Sequence, residues 1–312
     1  MLPISVNSWG PAWAFGLENA YRVIKEAGFD AVDATISTTM SYAETKQHRL
    51  PAFMTTGSDK DLLATFDPWR EGARAYGLCN YQAHAPYPTL IGHDANDPFN
   101  EDLLQALIKY IRVCDYIDCR RLVVHPAYCS YQYRLDPQRE WEINMERYAA
   151  MIPEAKKYGV MILLENMFVV NQPSGNPRAY ASACSDIPTA CRYIDELNAL
   201  AGEKVFGFCL DTGHLMLLGK NLKESMIQLG DRIEALHIDD NDGITDQHLS
   251  PYMGVTDWDD FCEGLKAIHY RKTINFEVGN LAIKYPKELY PHALKLLAET
   301  GRMFARRALG ED

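Results

Sequence analysis

An amphipathic stretch closed by a glycine, with a short apolar run directly after it, recurs along this chain. That recurrence constrains the fold more than any other feature of the sequence. Lys25-Glu26-Ala27-Gly28 precedes the run 29–35, Arg74-Ala75-Tyr76-Gly77 precedes 78–85, and Lys156-Lys157-Tyr158-Gly159 precedes 160–166. Glycine just past a helix end enters the left-handed region without Cβ strain. The runs that follow are near-continuously apolar rather than alternating, the pattern of parallel strands buried on both faces. Eight such runs are present, at 2–7, 31–35, 80–85, 121–126, 160–166, 205–211, 233–239 and 272–279. Helical stretches follow them, among them 17–27, 62–76, 101–117, 141–158 and 257–269.

Eight strand–helix units with no break in composition predict one (β/α)8 TIM barrel spanning residues 1–312 as a single domain. A doubly wound sheet is the alternative, but the chain has neither a G-x-G-x-x-G nor a P-loop after its first strand. The segments 36–60, 127–140 and 168–186 exceed ordinary βα-loop length and are rich in polar, aromatic, Gly or Pro residues. In a barrel these extended βα loops crowd the C-terminal face, where active sites are built. They read as lids or contacts between copies.

Composition narrows the function classes. The formal charge of −11 makes nonspecific binding to nucleic acid or to an anionic membrane unexpected. The eight cysteines are scattered without a C-x-x-C, as for reduced structural thiols in a cytoplasmic protein. The start Leu2-Pro3-Ile4-Ser5 shows no secretory signal, and no apolar run is long enough to span a membrane.

What closes each strand carries the chemistry. The third run ends in His84, the fourth in His125, the fifth in Glu165 and the sixth in Asp211, with His214 three residues on. The seventh contains His237 and the eighth Glu277, while the loop after the seventh adds Asp246 and His248. A carboxylate at the end of Ile162-Leu163-Leu164-Glu165, Phe208-Cys209-Leu210-Asp211 or Ile274-Asn275-Phe276-Glu277 is expensive to bury unless paired or bound. Three converging carboxylates repel one another, and a divalent cation relieves that repulsion. Glu165, Asp211, His237 and Glu277 form a mixed oxygen and nitrogen set suited to one Mn²⁺ or Zn²⁺, or to Mg²⁺ or Co²⁺. Taken singly, a strand-end histidine is ordinarily a hydrogen-bonded core residue, and Asp211 is well placed to cap the helix after it. The remaining five, His84, His125, His214, Asp246 and His248, read either as substrate contacts or as ligands of additional zinc.

Six short motifs in this order resemble the xylose isomerase-like barrel superfamily of sugar isomerases and epimerases, inositol-catabolism enzymes and endonuclease IV-type nucleases. They are His84-Ala85-Pro86-Tyr87, Val124-His125-Pro126, Leu164-Glu165-Asn166, Leu210-Asp211-Thr212-Gly213-His214, His237-Ile238-Asp239-Asp240-Asn241 and Asp246-Gln247-His248. The resemblance implies that Glu165, Asp211, His237 and Glu277 hold the shared metal. It also implies that Glu165 and Glu277 act as the acid/base pair of a ketose 3-epimerase and that His214 contacts a substrate oxygen. Two departures stand out. The arginine that the epimerases carry after the seventh-strand histidine is missing between His237 and His269. In its place, Asp246-Gln247-His248 resembles the third-metal ligands of the nucleases.

The first expectation is therefore a metal-dependent sugar isomerase or epimerase working by proton abstraction next to a carbonyl. Aromatics at the mouth (Trp13, Phe15, Tyr42, Tyr87, Tyr128, Tyr131 and Tyr133) would stack on the sugar, with Trp13 a named substrate contact. Cleavage of 3-oxo-glycosides, as by C-glycoside deglycosidases, needs the same base and metal. The alternatives are a multi-zinc apurinic endonuclease, a metal-dependent dehydratase and a non-catalytic barrel serving as a binding subunit. The loop Ser174-Gly175-Asn176-Pro177-Arg178 reads as an ordinary turn that could hold an anion. The amphipathic stretch 286–309 suggests a homo-oligomer or a partner subunit.

Overall fold

The computed structural model describes residues 1–92, 95–128, 136–171 and 178–311. Eight parallel strands form its centre: β1 (Ile4–Asn7), β2 (Ala31–Ala34), β3 (Cys79–His84), β4 (Arg121–Val123), β5 (Met161–Glu165), β6 (Phe206–Asp211), β7 (Ile233–His237) and β8 (Ile274–Phe276). From β1 to β7 each strand pairs with the next, β8 pairs with β1 through Ile4–Ile274, Ser5–Asn275 and Val6–Phe276, and β7 and β8 meet only at an isolated bridge. The last seam is narrow. Ile238 bridges Phe276, with its N–H donating to Asn275 O at 2.9 Å and its carbonyl accepting from Glu277 N at 3.0 Å. The (β/α)8 barrel expected from the sequence is thus present.

The glycine signal has the cause assigned to it. Gly28, Gly77, Gly159 and Gly202 follow their helices with φ of 99°, 60°, 62° and 75°, so each takes the left-handed turn that returns the chain to the sheet. The helix Leu17–Ala27 has the predicted bounds. The stretch 62–76 does not hold one helix; it divides into Asp59–Ala64 and Asp67–Tyr76. Pro68 lies at the first turn of the second helix, where its missing N–H breaks no bond, and it could not continue the first. The final helix starts at Tyr290 rather than at 286. Of the long segments, 36–60 folds into short helical turns and 168–186 contains an antiparallel hairpin, Phe168–Asn171 with Arg178–Ala181.

Strand alternation decides what enters the barrel. Ile4, Val6, Val32, Ala83, Leu122, Ile162, Leu164, Phe208, Leu210, Leu236 and Phe276 face the helices and join the main apolar core. On the opposite faces of β4 to β7, Val123, Leu163, Cys209 and Ala235 pack together as a small layer inside the barrel. On β1, β2, β3 and β8 the same layer is polar, with buried Ser5, Asp33, Gln82 and Asn275. Because the side-chain period of a strand is two, the residue two places past an interior residue returns to the interior one layer nearer the C-terminal mouth. Leu163 is followed in this way by Glu165, Cys209 by Asp211, Ala235 by His237, Asn275 by Glu277, Gln82 by His84 and Val123 by His125.

Candidate active site and metal centre

Glu165, Asp211, His237 and Glu277 come together at the mouth, each with one ligand-type atom within 4.8 Å of those of the others. His237 Nδ1 is 2.9 Å from Glu165 Oε1 and 3.2 Å from Glu277 Oε2. Asp211 performs two tasks at once. Its Oδ1 accepts from His214 N at 2.7 Å and caps the helix Thr212–Leu217, while its buried Oδ2 has no hydrogen-bond partner. Asn166 ties the two strand ends together, donating to Asp211 O and accepting from Asp211 N, both at 2.9 Å.

Two further groups flank this one. His84, His125 and Glu165 form the first. Glu165 is shared, with Oε1 toward His237 and Oε2 3.2 Å from His125 Nε2 and 3.7 Å from His84 Nε2. His84 Nδ1 is 2.7 Å from Ala85 O, which fixes a proton on Nδ1. Its Nε2 then faces His125 Nε2 at 3.0 Å, an approach that needs a proton or a cation between the two nitrogens. Asp239, Asp246 and His248 form the second group. Asp246 Oδ2 lies 3.1 Å from His248 Nε2 and 3.8 Å from His214 Nε2, and His214 rests its Nδ1 on Asn166 O at 2.8 Å. His248 has a φ of 45°, a left-handed conformation uncommon outside glycine.

Electrostatics matches this crowding. Burial pushes the Glu165 carboxyl up, but His237 and His125 outweigh burial and hold it well below the carboxylate range. Glu277 is raised by burial, only partly opposed by His237 and His248. Asp211 is raised well above its ordinary value by burial and by the charge of Asp239. Burial drives His125 down to about 4. Burial opposes the charged forms of His214, His237 and His248, but all three rise well above the ordinary imidazole value, His214 and His248 through their carboxylate neighbours and His237 through Cys209, Glu277 and Glu165. Glu165 Oε2, Asp211 Oδ2 and Asp239 Oδ2 are buried and accept no hydrogen bond from the described residues, although His125 Nε2 and His248 Nδ1 lie 3.2 and 3.1 Å from the first and the third. The residues therefore fit a divalent cation: the donors of the quartet are carboxylate and imidazole only, with one ligand-type atom from each within 4.8 Å of the others and buried Asp211 Oδ2 left without a hydrogen bond.

A cavity of about 560 Å³ opens above the quartet. His84, His248, Glu277 and Asp33 reach it from the barrel, and Ser37, Thr38 and Ser41 form a hydroxyl-bearing wall. The aromatic wall consists of Trp9, Tyr42 and Tyr87, with Tyr87 stacked on His125 at 5.2 Å between centroids. Trp13, the expected substrate contact, lies outside this lining. It is exposed one helical turn beyond Trp9 and stacks on it at 6.5 Å. Phe15 packs instead against Tyr290. Tyr131, Tyr133 and most of the loop read as an anion-holding turn lie outside the described residues.

Sequence reasoning missed Asp33 and Asp239. Asp239 Oδ1 accepts from Gly213 N at 2.8 Å, and a Cβ at position 213 would lie 2.3 Å from that oxygen, which is why glycine stands there. Asp33 sits within the apolar strand Ala31–Ala34, so the cost of burying a carboxylate was legible. It lies inside the strand, one layer below the carboxylates that close the other strands.

An eight-stranded parallel barrel with carboxylates and imidazoles gathered at the C-terminal ends of its strands defines the class. Residues 21–300 match the xylose isomerase-like TIM barrel family, and the chain belongs to that family. The protein MJ1614 of Methanocaldococcus jannaschii is 27% identical over 225 residues, covering 72% of this chain and 81% of the relative. Among solved structures, the 3-keto-D-glucoside 4-epimerase YcjR from E. coli superimposes with a TM-score of 0.68 at 18% identity, covering 96% of this chain and all of that one. A D-tagatose 3-epimerase-like protein gives 0.67 at 21% identity, with 97% of this chain and 100% of that one covered. The IolI protein with a bound zinc atom gives 0.68 at 15%, with 99% of both chains covered. These likenesses show the shared fold.

Proposed function

We propose that this protein is a metal-dependent isomerase or epimerase of sugars or sugar-derived ketones. The observation that carries this reading is the convergence of Glu165, Asp211, His237 and Glu277 directly beneath an open cavity that Glu277 helps to line. Those four residues would hold the ion. Bound there, a divalent ion supplies Lewis-acid polarisation of a carbonyl. Glu277, on the cavity wall, takes the proton from the carbon next to the substrate carbonyl. For isomerisation Glu277 delivers that proton to the neighbouring carbon; for epimerisation Glu165, once it has taken up a proton from solvent, delivers one to the opposite face of the same carbon. His84 and His248 offer hydrogen bonds to substrate hydroxyls, and Trp9, Tyr42 and Tyr87 give faces on which the apolar side of a sugar stacks. The names of the structural neighbours, epimerases of keto-sugars among them, support this class. Cleavage of a 3-oxo-glycoside starts with the same proton abstraction and belongs to the same proposal.

A second reading, a multi-zinc phosphodiesterase acting on abasic DNA, is favoured by one observation: three candidate metal groups lie side by side, two of them sharing Glu165. The charge of −11 opposes it.

The deciding experiment is elemental analysis of protein purified without chelator, followed by NMR detection of solvent deuterium entering keto-sugars and 3-keto-glucosides. About one ion per chain, and exchange lowered by roughly 10²–10⁴-fold in Glu165→Gln and Glu277→Gln, is the expected result. Two or three zinc ions with nicking of abasic duplex and no carbon exchange would replace it with the second reading.

A further inference from the structure

Beneath the quartet, four fully buried polar side chains cross the barrel interior: Ser5, Asp33, Gln82 and Asn275. Their hydrogen bonds have only one consistent direction. Ser5 Oγ donates to Asn275 Oδ1 at 2.6 Å, which turns the amide so that Nδ2 faces Asp33 Oδ2 at 3.2 Å and Leu236 O at 3.0 Å. Gln82 Nε2 likewise donates to Asp33 Oδ2 at 3.2 Å and to Leu236 O at 3.3 Å. Asp33 is thus held in place by neutral donors, and its Oδ2 lies 3.3 Å from His237 Nε2. His84 and His214 each rest one ring nitrogen on a main-chain carbonyl, whereas His237 has the Asp33 carboxylate behind its ring.

From this arrangement we infer that Asp33 is a positioning residue that selects the tautomer of His237, and the inference rests on the metal reading above. An imidazole binds a cation only through a nitrogen that carries no proton. His237 Nδ1 faces Glu165 Oε1 and Glu277 Oε2, two acceptors that would draw a proton onto that nitrogen. A proton there makes His237 a donor to the carboxylates instead of a ligand beside them. Asp33 competes from the far side of the ring. A proton on Nε2 would face Asp33 Oδ2 at 3.3 Å, which favours that tautomer and leaves the Nδ1 lone pair aimed into the quartet. A buried carboxylate answered only by neutral amides is costly, and an Nε2–H donor offsets that cost. A carboxylate behind a metal-bound histidine also raises its basicity, and losing such a partner typically weakens metal binding 10–100-fold.

The test is Zn²⁺ affinity of the full chain by chelator competition, together with ring ¹⁵N shifts of His237 in the Zn²⁺-loaded protein. In the wild type, the shifts should show ligation through Nδ1 and a proton on Nε2. Asp33→Asn should bind Zn²⁺ roughly 10–100-fold more weakly, Asp33→Glu should recover part of the loss, and Ser5→Ala, which leaves the carboxylate in place, should lose little. Wild-type ligation through Nε2 would overturn the inference even if Asp33→Asn does not fold. A folded Asp33→Asn with unchanged affinity would overturn it alone. A wild type that takes up no ion would overturn both this inference and the functional proposal.

Discussion

The segment that closes the loop bearing Asp246 and His248 is fastened at 254–258 by one buried carboxylate, and replacing Asp240 with Asn should loosen it. Asp240 Oδ1 accepts from Asn241 N at 3.0 Å, Thr256 N at 3.1 Å and Thr256 Oγ1 at 2.8 Å. Its Oδ2 accepts from Gly254 N at 2.9 Å and from Trp258 Nε1 at 3.2 Å. All five partners donate, so the site needs two acceptor oxygens. An asparagine keeps one oxygen and turns an NH2 toward two N–H groups. The orientation with the amide nitrogen in place of Oδ2 is the less damaging, since it strands two donors rather than three. Each stranded buried donor costs roughly 1–3 kcal/mol, so Asp240→Asn should lose about 2–6 kcal/mol. Urea unfolding followed by tryptophan fluorescence reads this directly, because Trp258 is one of the stranded groups. The quartet lies on the strand ends and should stay assembled in the variant, so its metal uptake should equal that of the wild type. A loss below about 1 kcal/mol would show that water or a shifted backbone satisfies both donors, and would refute the claim that Asp240 anchors the loop.

Two further perturbations probe the scaffold. Gly213→Ala places a methyl group 2.3 Å from Asp239 Oδ1, and the overpacking should cost roughly 1–3 kcal/mol in urea unfolding; a neutral substitution would mean that Asp239 moves freely. Asp30 is pushed up by burial, but its pair with Arg302 and its bond from Ile4 N, at 2.6 Å and 2.9 Å, hold it below the ordinary carboxylate range. Its stabilisation is therefore complete above a pH of about 4 and lost as pH falls through the lower folded value, so the Tm gap between wild type and Asp30→Asn should narrow below about pH 4. A gap that widens on acidification would reverse the sign of that reasoning.

Much of the architecture was legible along the chain because it rests on local rules. Glycines that take the left-handed turn mark helix ends at Gly28, Gly77 and Gly159 whatever the chain packs against. Continuous apolar runs mark strands covered on both faces, and the eight runs predict the barrel order. A charged group closing such a run is expensive wherever it is buried, so Glu165, Asp211 and Glu277 stood out before any partner was known. The break at Phe66 was less visible, since helical periodicity continues across it and only Pro68 signals the new start.

Closure of the barrel decided the rest, because it brings together groups that the sequence keeps far apart. His237 meets Glu165 across 72 positions, and Asn275 meets Asp33 across 242. Only that closure shows Glu165 serving two ligand groups with separate oxygens, Asp239 joining Asp246 and His248, and Trp9 rather than Trp13 facing the cavity. Residue types state which groups are costly to bury. Which nitrogen faces which oxygen is set by the register of eight strands around a ring, and no segment of the chain contains that information by itself.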